Sequence, residues 1–348
     1  MELIPAAAEL TYRLLYQGLL ERLPESRAVR IGQALLKLLP VGPLSGFRLT
    51  DQRLKTVLGG VALPNPVILS SMYYDPAILR VAMALGFGAV TTKSITVKPR
   101  PGHPEPNLVR IRTPEGRGFV NCNGFKNPGL EAYRRALRDL AHDVPLIVAV
   151  AGESVDEYAA LVEGLSPFGD LVEVNISSPN TRLVYELSSK PDEVRRLFKA
   201  VRAATAKPLI VKLSPDFESN NYAALIPAAL EAGITIVNYG NTRRVEEARL
   251  SQGAGGLSGP ALFANTLANV RRLRKEFGET IEIIATGGID SAEKALHLLE
   301  SGATAVSYFT AFITEGPTLP RRICEAIVKR LAATGGQRMH DIKGPHAN

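Results

Sequence analysis

From about residue 46 onward one rhythm repeats along the chain. A short, nearly continuous apolar run is followed by a longer stretch whose apolar positions recur every three to four residues. The runs lie at 66–71 (PVILSS), 88–93 (GAVTTK), 145–151 (PLIVAVA), 171–177 (LVEVNIS), 208–214 (PLIVKLS), 234–239 (ITIVNY), 281–286 (IEIIAT) and 304–309 (TAVSYF). Apolar runs without alternation are the mark of strands buried on both faces, as in parallel sheets. Helical patterns follow at 77–85, 156–165, 192–203, 262–277, 292–300 and 320–331. Strand–helix alternation calls for parallel pairing through right-handed crossovers, and eight such units close a (β/α)8 TIM barrel. The fold class is therefore α/β.

The first 45 residues follow a different pattern. Tyr12, Leu15, Tyr16, Leu19, Leu20 and Leu23 recur at helical spacing, Pro24, Glu25 and Ser26 break it, and Ile31, Leu35, Leu38 and Leu39 resume it until Pro40. This predicts an amino-terminal helical hairpin over 1–45 and a catalytic barrel over 46–348. Arg13, Arg22, Arg27, Arg30 and Lys37 sit off the apolar stripe. Two readings stand: a hairpin packed on its own domain, or an interfacial element that admits an apolar partner from a bilayer. Two connections, 94–128 and 240–260, are longer than barrel closure needs. Both leave carboxyl ends of strands, where loops shape or cover a site.

Composition narrows the partners. A hydrophobic fraction of 45% and a charged fraction of 22% are ordinary for a globular chain, and a net charge of +7 permits an acidic small molecule or an anionic membrane surface. The basic residues are spread out, without the runs of a nucleic-acid binder. Cys122 and Cys324 make no disulfide framework and suit a reducing compartment. No CxxC or HExxH is present among the five histidines, so no metal is expected. The start MELIPAAAEL lacks a basic region, and no apolar run reaches the ~18 residues of a spanning helix. The expected location is the cytoplasm, or peripherally on the inner face of the cell membrane.

Candidate chemistry gathers at strand ends. In LVEVNISSPNT (171–181), Asn175, Ser177, Ser178, Asn180 and Thr181 surround Pro179 just past an apolar strand. Carboxamides donate and accept, which suits a flat heterocycle with both carbonyls and ring N–H groups. The same residues also make ordinary turns. Ser70, Ser71, Lys93, Lys212, Asn238 and Thr286 fall at or near other strand ends. A lysine inside the run LIVKLSPD is costly unless it meets a fixed anion or acceptor. Snorkelling to solvent or Schiff-base chemistry are its other readings. Glycines at 255–259 and 287–288, with Phe309 and Thr310 after the last strand, supply bare backbone where barrels bind phosphate, although turns also use glycine.

Motif by motif from about residue 56 to 345, the chain resembles the dihydroorotate dehydrogenase family. The matching stretches are Asn65-Pro66, TKSITVKPRPGHPEPN (92–107), VNCNGFKNPGL (120–130), NISSPNT (175–181), VKLSPD (211–216), GGLSGPAL (255–262) and ATGGIDSAEKALHLLESGATAVSYFTAFITEGP (285–317). The resemblance implies an FMN-bound barrel that oxidises dihydroorotate to orotate, a hydride going to flavin and a proton to a base. It makes Ser178 that base, with Thr181 and Phe125 shaping its relay. It places dihydroorotate near Lys93, Asn121, Asn175, Asn180 and Asn238. It assigns flavin contacts to Ser70, Ser71, Lys93, Ser94, Asn175 and Lys212, and the ribityl phosphate to Gly259, Gly288, Phe309 and Thr310. The hairpin, the serine base and the tail His340-Asp341 are similar to the quinone-dependent class 2 and imply a quinone acceptor.

The chain also departs from that class. Where class 2 proteins carry Ala-Ala-Gly-Phe-Asp-Lys, Ser70-Ser71-Met72-Tyr73-Tyr74-Asp75 stands here, with an acid in place of a lysine that meets flavin and substrate. Lys93, similar to a class 1 lysine, is expected to supply that cation from the next strand. Ala149-Val150-Ala151-Gly152 is class 1-like as well. Another dihydropyrimidine or an enone as substrate, a silent flavin-binding barrel, and a Schiff-base lyase are the competing readings.

Overall fold

A computed structural model describes residues 3–177, 191–215 and 219–342. Its strands, in chain order, are β1 (Thr56–Leu58), β2 (Val61–Leu63), β3 (Val67–Tyr73), β4 (Ala89–Thr92), β5 (Leu108–Thr113), β6 (Gly116–Asn121), β7 (Leu146–Val150), β8 (Leu171–Asn175), β9 (Leu209–Leu213), β10 (Ile236–Tyr239), β11 (Arg243–Glu246), β12 (Ala254–Ser258), β13 (Glu282–Thr286) and β14 (Ala305–Tyr308). The eight apolar runs become β3, β4, β7, β8, β9, β10, β13 and β14, which pair in parallel and close on themselves through β9 and β10. A (β/α)8 barrel results. Its outer ring is Pro76–Ala84, Leu130–Arg138, Val155–Leu165, Pro191–Ala203, Ser219–Glu231, Phe263–Phe277, Ala292–Glu300 and Leu319–Thr334. Leu130–Arg138 and Ser219–Glu231 were not among the expected helices. The first is strongly amphipathic but only nine residues long, at the end of a long connection, and was overlooked; the second contains Pro227, which blurs its helical signal.

Inside the barrel the strand period of two sorts residues by chemistry. One inward position per strand is apolar: Ile68, Ala89, Ile147, Leu171, Ile210, Ile236, Ile284 and Ala305 form a single cluster with Leu58 and Leu63 of the β1–β2 hairpin, which plugs the amino end. Two residues further on, and so again inward, stand Ser70, Thr91, Ala149, Glu173, Lys212, Asn238, Thr286 and Ser307. All are buried. The barrel thus rests on an apolar layer and carries a mostly polar one above it.

The two long connections are not simple loops. They contribute β5 and β6, and β11 and β12, which pair as one antiparallel sheet in the order β11-β12-β6-β5. The join is β6 to β12, with Asn121 opposite Gly256. Short strands such as AGGLS carry little β propensity of their own, and their partner lies far away in sequence.

Ahead of the barrel lie helices α1 (Leu3–Gly18) and α2 (Glu25–Leu38), joined through a single turn at Leu20–Arg22. Arg110 of β5 fastens it, donating to the carbonyls of Leu23 at 2.8 Å and Leu20 at 3.0 Å. Tyr12 donates to the Ile313 carbonyl, and Tyr16 and Leu20 are buried.

The carboxyl rim is tightly fitted at Gly240, which follows β10 with φ +117°. A Cβ there would stand 1.7 Å from the carbonyl oxygen of Thr286 on β13. Gly240→Ala is expected to lower stability by about 2 kcal/mol or more through backbone strain and displacement of β13. Urea unfolding reads this, and a loss below about 0.5 kcal/mol would mean that the two strand ends are not locked together.

Candidate active site

A cavity of about 900 Å³ opens between the barrel mouth and the hairpin. Ser70, Lys212 and Thr286 of the polar layer reach it from below, Phe119, Asn121 and Ser258 of the antiparallel sheet border it, and Tyr12, Leu15, Ala28, Val29 and Leu36 of the hairpin roof it.

The polar layer is internally hydrogen-bonded. Lys212 Nζ lies 3.3 Å from Glu173 Oε1, the two side chains being 6% and 1% exposed. Asn238 Nδ2 donates to Glu173 Oε2 at 2.6 Å, and Thr286 Oγ1 donates to Asn238 Oδ1 at 2.6 Å. Ser70 and Ser307 share a 2.6 Å hydrogen bond on the other side. Both oxygens of Glu173 accept, so the acid is held as a carboxylate and Lys212 as its ammonium partner. Breaking such a buried pair by removing one member typically costs about 3–5 kcal/mol. A Schiff-base role needs an amine free to attack, and this one is engaged by Glu173.

Past β8 a second network forms. Asn175 Nδ2 donates to Ser94 Oγ at 2.9 Å, while Asn175 Oδ1 accepts from Ser177 N at 3.1 Å and Ser177 Oγ at 2.7 Å. Asn241 Nδ2 donates to Ser177 Oγ at 2.7 Å. Ser94 N donates to Ser71 Oγ at 3.1 Å, joining the ends of β3 and β4. Lys93, beside them, lines the cavity. Burial away from bulk water, and then the nearby Lys126 charge, push its ammonium down to about 8. Lys126 lines the same cavity.

The glycine-bearing side is bare backbone. Gly259, Gly287 and Gly288 line the cavity together with Phe309 and Thr310. Gly288, at φ +79°, runs against the start of Phe263–Phe277, where a Cβ would stand 2.2 Å from Phe263 N. No side chain fits at that position.

Of the residues singled out from the sequence, the cavity brings together Ser70, Ser71, Lys93, Asn121, Lys212, Gly259, Gly288, Phe309 and Thr310. Ser94 and Asn175 lie behind the wall and brace it. Asn238 is corrected: both ends of its amide are spent inside the barrel on Glu173 and Thr286, and it does not line the cavity. Its neighbour Asn241, with Thr242, does. The polar pair Asn241-Thr242 directly after an apolar strand was the available signal. Phe125 is off the wall too, its backbone in the left-handed region at φ +54° and its carbonyl accepting from Asn127 Nδ2 at 2.6 Å. An aromatic residue held there is strained, which singles out this turn. Ser178, Asn180 and Thr181 lie outside the described residues.

Asp75 lines the cavity and is also held by the protein itself. Its carboxylate caps Pro76–Ala84, accepting from Ala77 N at 3.0 Å, and pairs with Lys37 of α2. The acid joins hairpin to barrel.

Comparison with known proteins agrees with this geometry. The family model described as Dihydroorotate dehydrogenase matches residues 53–331. The chain is 33% identical over 314 residues to dihydroorotate dehydrogenase (quinone) of Chloroflexus aurantiacus, covering 83% of this chain and 85% of that one. It is 34% identical over 299 residues to the catalytic subunit of dihydroorotate dehydrogenase B (NAD(+)) of Pyrococcus furiosus, covering 84% and 98% respectively. Among solved structures, DHODH from Eimeria tenella in complex with ferulenol superposes with a TM-score of 0.81 at 25% identity, covering 95% of this chain and 98% of that one.

The assignment of Asp75 is testable. Asp75→Asn keeps a good cap and loses only a half-exposed ion pair, so a stability loss under about 0.5 kcal/mol is expected. Asp75→Ala loses the cap too and is expected to cost about 1 kcal/mol more. Equal losses in thermal unfolding would contradict the capping role.

Proposed function

The chain belongs to the dihydroorotate dehydrogenase family, and from that premise we propose that it oxidises dihydroorotate to orotate in pyrimidine biosynthesis, with FMN as its cofactor and a quinone as acceptor. The observation that carries the reading is the convergence of Lys93, Lys212 and Asn121 on one cavity whose far edge is bare glycine backbone. These residues fit a flavin mononucleotide. The glycines with Phe309 and Thr310 suit its phosphate, the hydroxyls of Ser70 and Ser71 suit the polar rim of its ring, and Lys212 faces it from the barrel floor. FMN, when bound, supplies the acceptor for the hydride that leaves a C–H bond of the substrate.

The chain's own residues have the remaining tasks. Ser178 takes the proton from the adjacent carbon, so that one hydride and one proton leave and a C=C bond forms. A serine hydroxyl is a weak base and needs a path for its proton, which Thr181 and the strained turn at Phe125 help to shape. Asn121, Asn180 and Asn241 offer carboxamides to the pyrimidine ring, while Asn175 orients Ser177 and Ser94. Lys93 offers a cation to the substrate's carboxylate or carbonyl edge. Lys212 lines the cavity at the barrel floor, where its ammonium would oppose negative charge on a bound flavin.

A quinone acceptor is supported by the roof. The cavity continues between apolar hairpin residues, among them Leu15, Val29 and Leu36, and ends against Phe312. Leu10, Leu14, Leu19, Ile31, Leu35 and Leu38 of the same hairpin expose at least 39% of their surface. We place this face on a lipid surface. No described helix is long and apolar enough to cross a membrane. A different substrate is the second reading, motivated by Asp75 and the Met72-Tyr73-Tyr74 insert, which line the cavity; the engagement of the Asp75 carboxylate by Ala77 N and Lys37 favours dihydroorotate over it.

Adding dihydroorotate without oxygen to the purified protein is expected to bleach its visible flavin band. Ser178→Ala is expected to slow that step by roughly 10²-fold or more, the usual worth of a positioned base. Bleaching at an unchanged rate would remove Ser178 from the mechanism, and no bleaching of the unaltered protein would overturn the reading. Ala28→Trp, which fills the roof, is expected to cut quinone turnover at least about tenfold, or about 1.4 kcal/mol, and leave bleaching intact. Equal loss in both would contradict a quinone path through the hairpin.

A further inference from the structure

Only one member of the buried ion pair reaches the cavity. Lys212 lines it, whereas Glu173 lies behind the lysine within the barrel, 1% exposed, with Lys212 Nζ at 3.3 Å and Asn238 Nδ2 at 2.6 Å. The donors run one way, from Thr286 to Asn238 to Glu173, and end on the carboxylate. No water is needed to satisfy it. An anion fixed behind a cation subtracts from the potential that the cation imposes on whatever lies in front, and does so strongly where the surroundings are dry.

We propose that Glu173 is a positioning and tuning residue: it fixes the Lys212 ammonium beneath the flavin and lowers the flavin's midpoint potential by offsetting part of the lysine's charge. The inference rests on the FMN reading above. Reduction by hydride adds negative charge to the ring, and an uncompensated Lys212 stabilises that state most. With Glu173 present the reduced state is held less tightly, which favours delivery of electrons to the acceptor at some expense to their uptake from substrate. Lys93 and Lys126 line the same cavity, whereas the floor pair of Lys212 and Glu173 contributes no net charge of its own.

The geometry also says which substitution is informative. A glutamine at 173 can still accept from Lys212 through its oxygen. Its amide N–H can donate to Asn238 if that carboxamide turns over, and Thr286, whose hydroxyl can accept as well as donate, then receives the Asn238 amide. The network reverses, with the Thr286 hydroxyl proton released toward the cavity that Thr286 lines, so Glu173→Gln removes the charge and preserves the packing.

The test is the midpoint potential of the bound flavin, measured anaerobically against a reference dye, for the unaltered protein, Glu173→Gln and Glu173→Asp. The glutamine variant is expected to lie higher by at least about 30 mV, a tenfold change in a two-electron equilibrium. The aspartate variant, which keeps the charge but retracts it from Lys212, is expected between the two. Oxidised FMN is expected to bind all three equally. A midpoint at or below that of the unaltered protein, in either flavin-loaded variant, overturns the proposal, and the aspartate variant decides it alone if the glutamine variant does not fold. Flavin-free unaltered protein would remove the FMN reading and this inference together, whereas a flavin-loaded variant with an unmoved midpoint removes only the inference.

Discussion

A lysine ammonium in the interior of a β-barrel needs a counter-charge, and the contact between Lys212 and Glu173 is the condition under which this barrel can be polar inside at all. Once those two charges are placed, their remaining hydrogen-bonding capacity recruits Asn238 and then Thr286. The polar layer is stable because the layer beneath it is entirely aliphatic and closed by Leu58 and Leu63. Apolar burial at one end of the strands therefore supports chemistry at the other. The alternation of the strand makes this possible, since two residues of chain separate Ile210, which belongs to the fold, from Lys212, which belongs to the site.

Above that floor the polar groups divide into two kinds. Those that brace are paired within the protein, Asn175 with Ser94 and Ser177, and the cavity-lining Ser71 and Asn241 are tied to them in turn. Those that face the cavity keep capacity for a ligand, above all Lys93, whose ammonium is pushed down to about 8 by its seclusion and by Lys126. The roof is of another character. The hairpin presents apolar side chains inward to the cavity and outward to its surroundings, and polar contacts such as Arg110 to Leu20 and Leu23, and Lys37 to Asp75, hold it to the barrel. A flat polar substrate and a long apolar oxidant can thus approach one ring from two environments.

The barrel was legible in the sequence because each of its strands is buried on both faces and reads as an uninterrupted apolar run. The same feature concealed Glu173. Set within LVEVN, it reads as a lapse in an apolar strand, and only the neighbouring strands show that its inward position pairs with Lys212. Asn238 was legible as a polar residue at a strand end but not as one facing down, because a strand end two residues longer or shorter exchanges floor for wall. Asn241 was overlooked for that reason. The antiparallel sheet over the mouth was not legible, since β6 and β12 meet across 135 residues of chain and two of the five residues of β12 are glycine. Asp75 was legible only in part: it lines the cavity as its place after the first barrel strand suggests, while the aspartate just before Pro76 was also readable as the helix cap it makes.

The central claim is that a polar layer on an apolar one builds a floor for a flavin. The identity and amount of the bound cofactor test this most directly, by heat release from the purified protein followed by mass determination. One equivalent of FMN per chain, reduced to a small fraction in Lys212→Met, is the predicted result. A colourless protein, or one that binds FMN as fully without Lys212 as with it, would contradict the account.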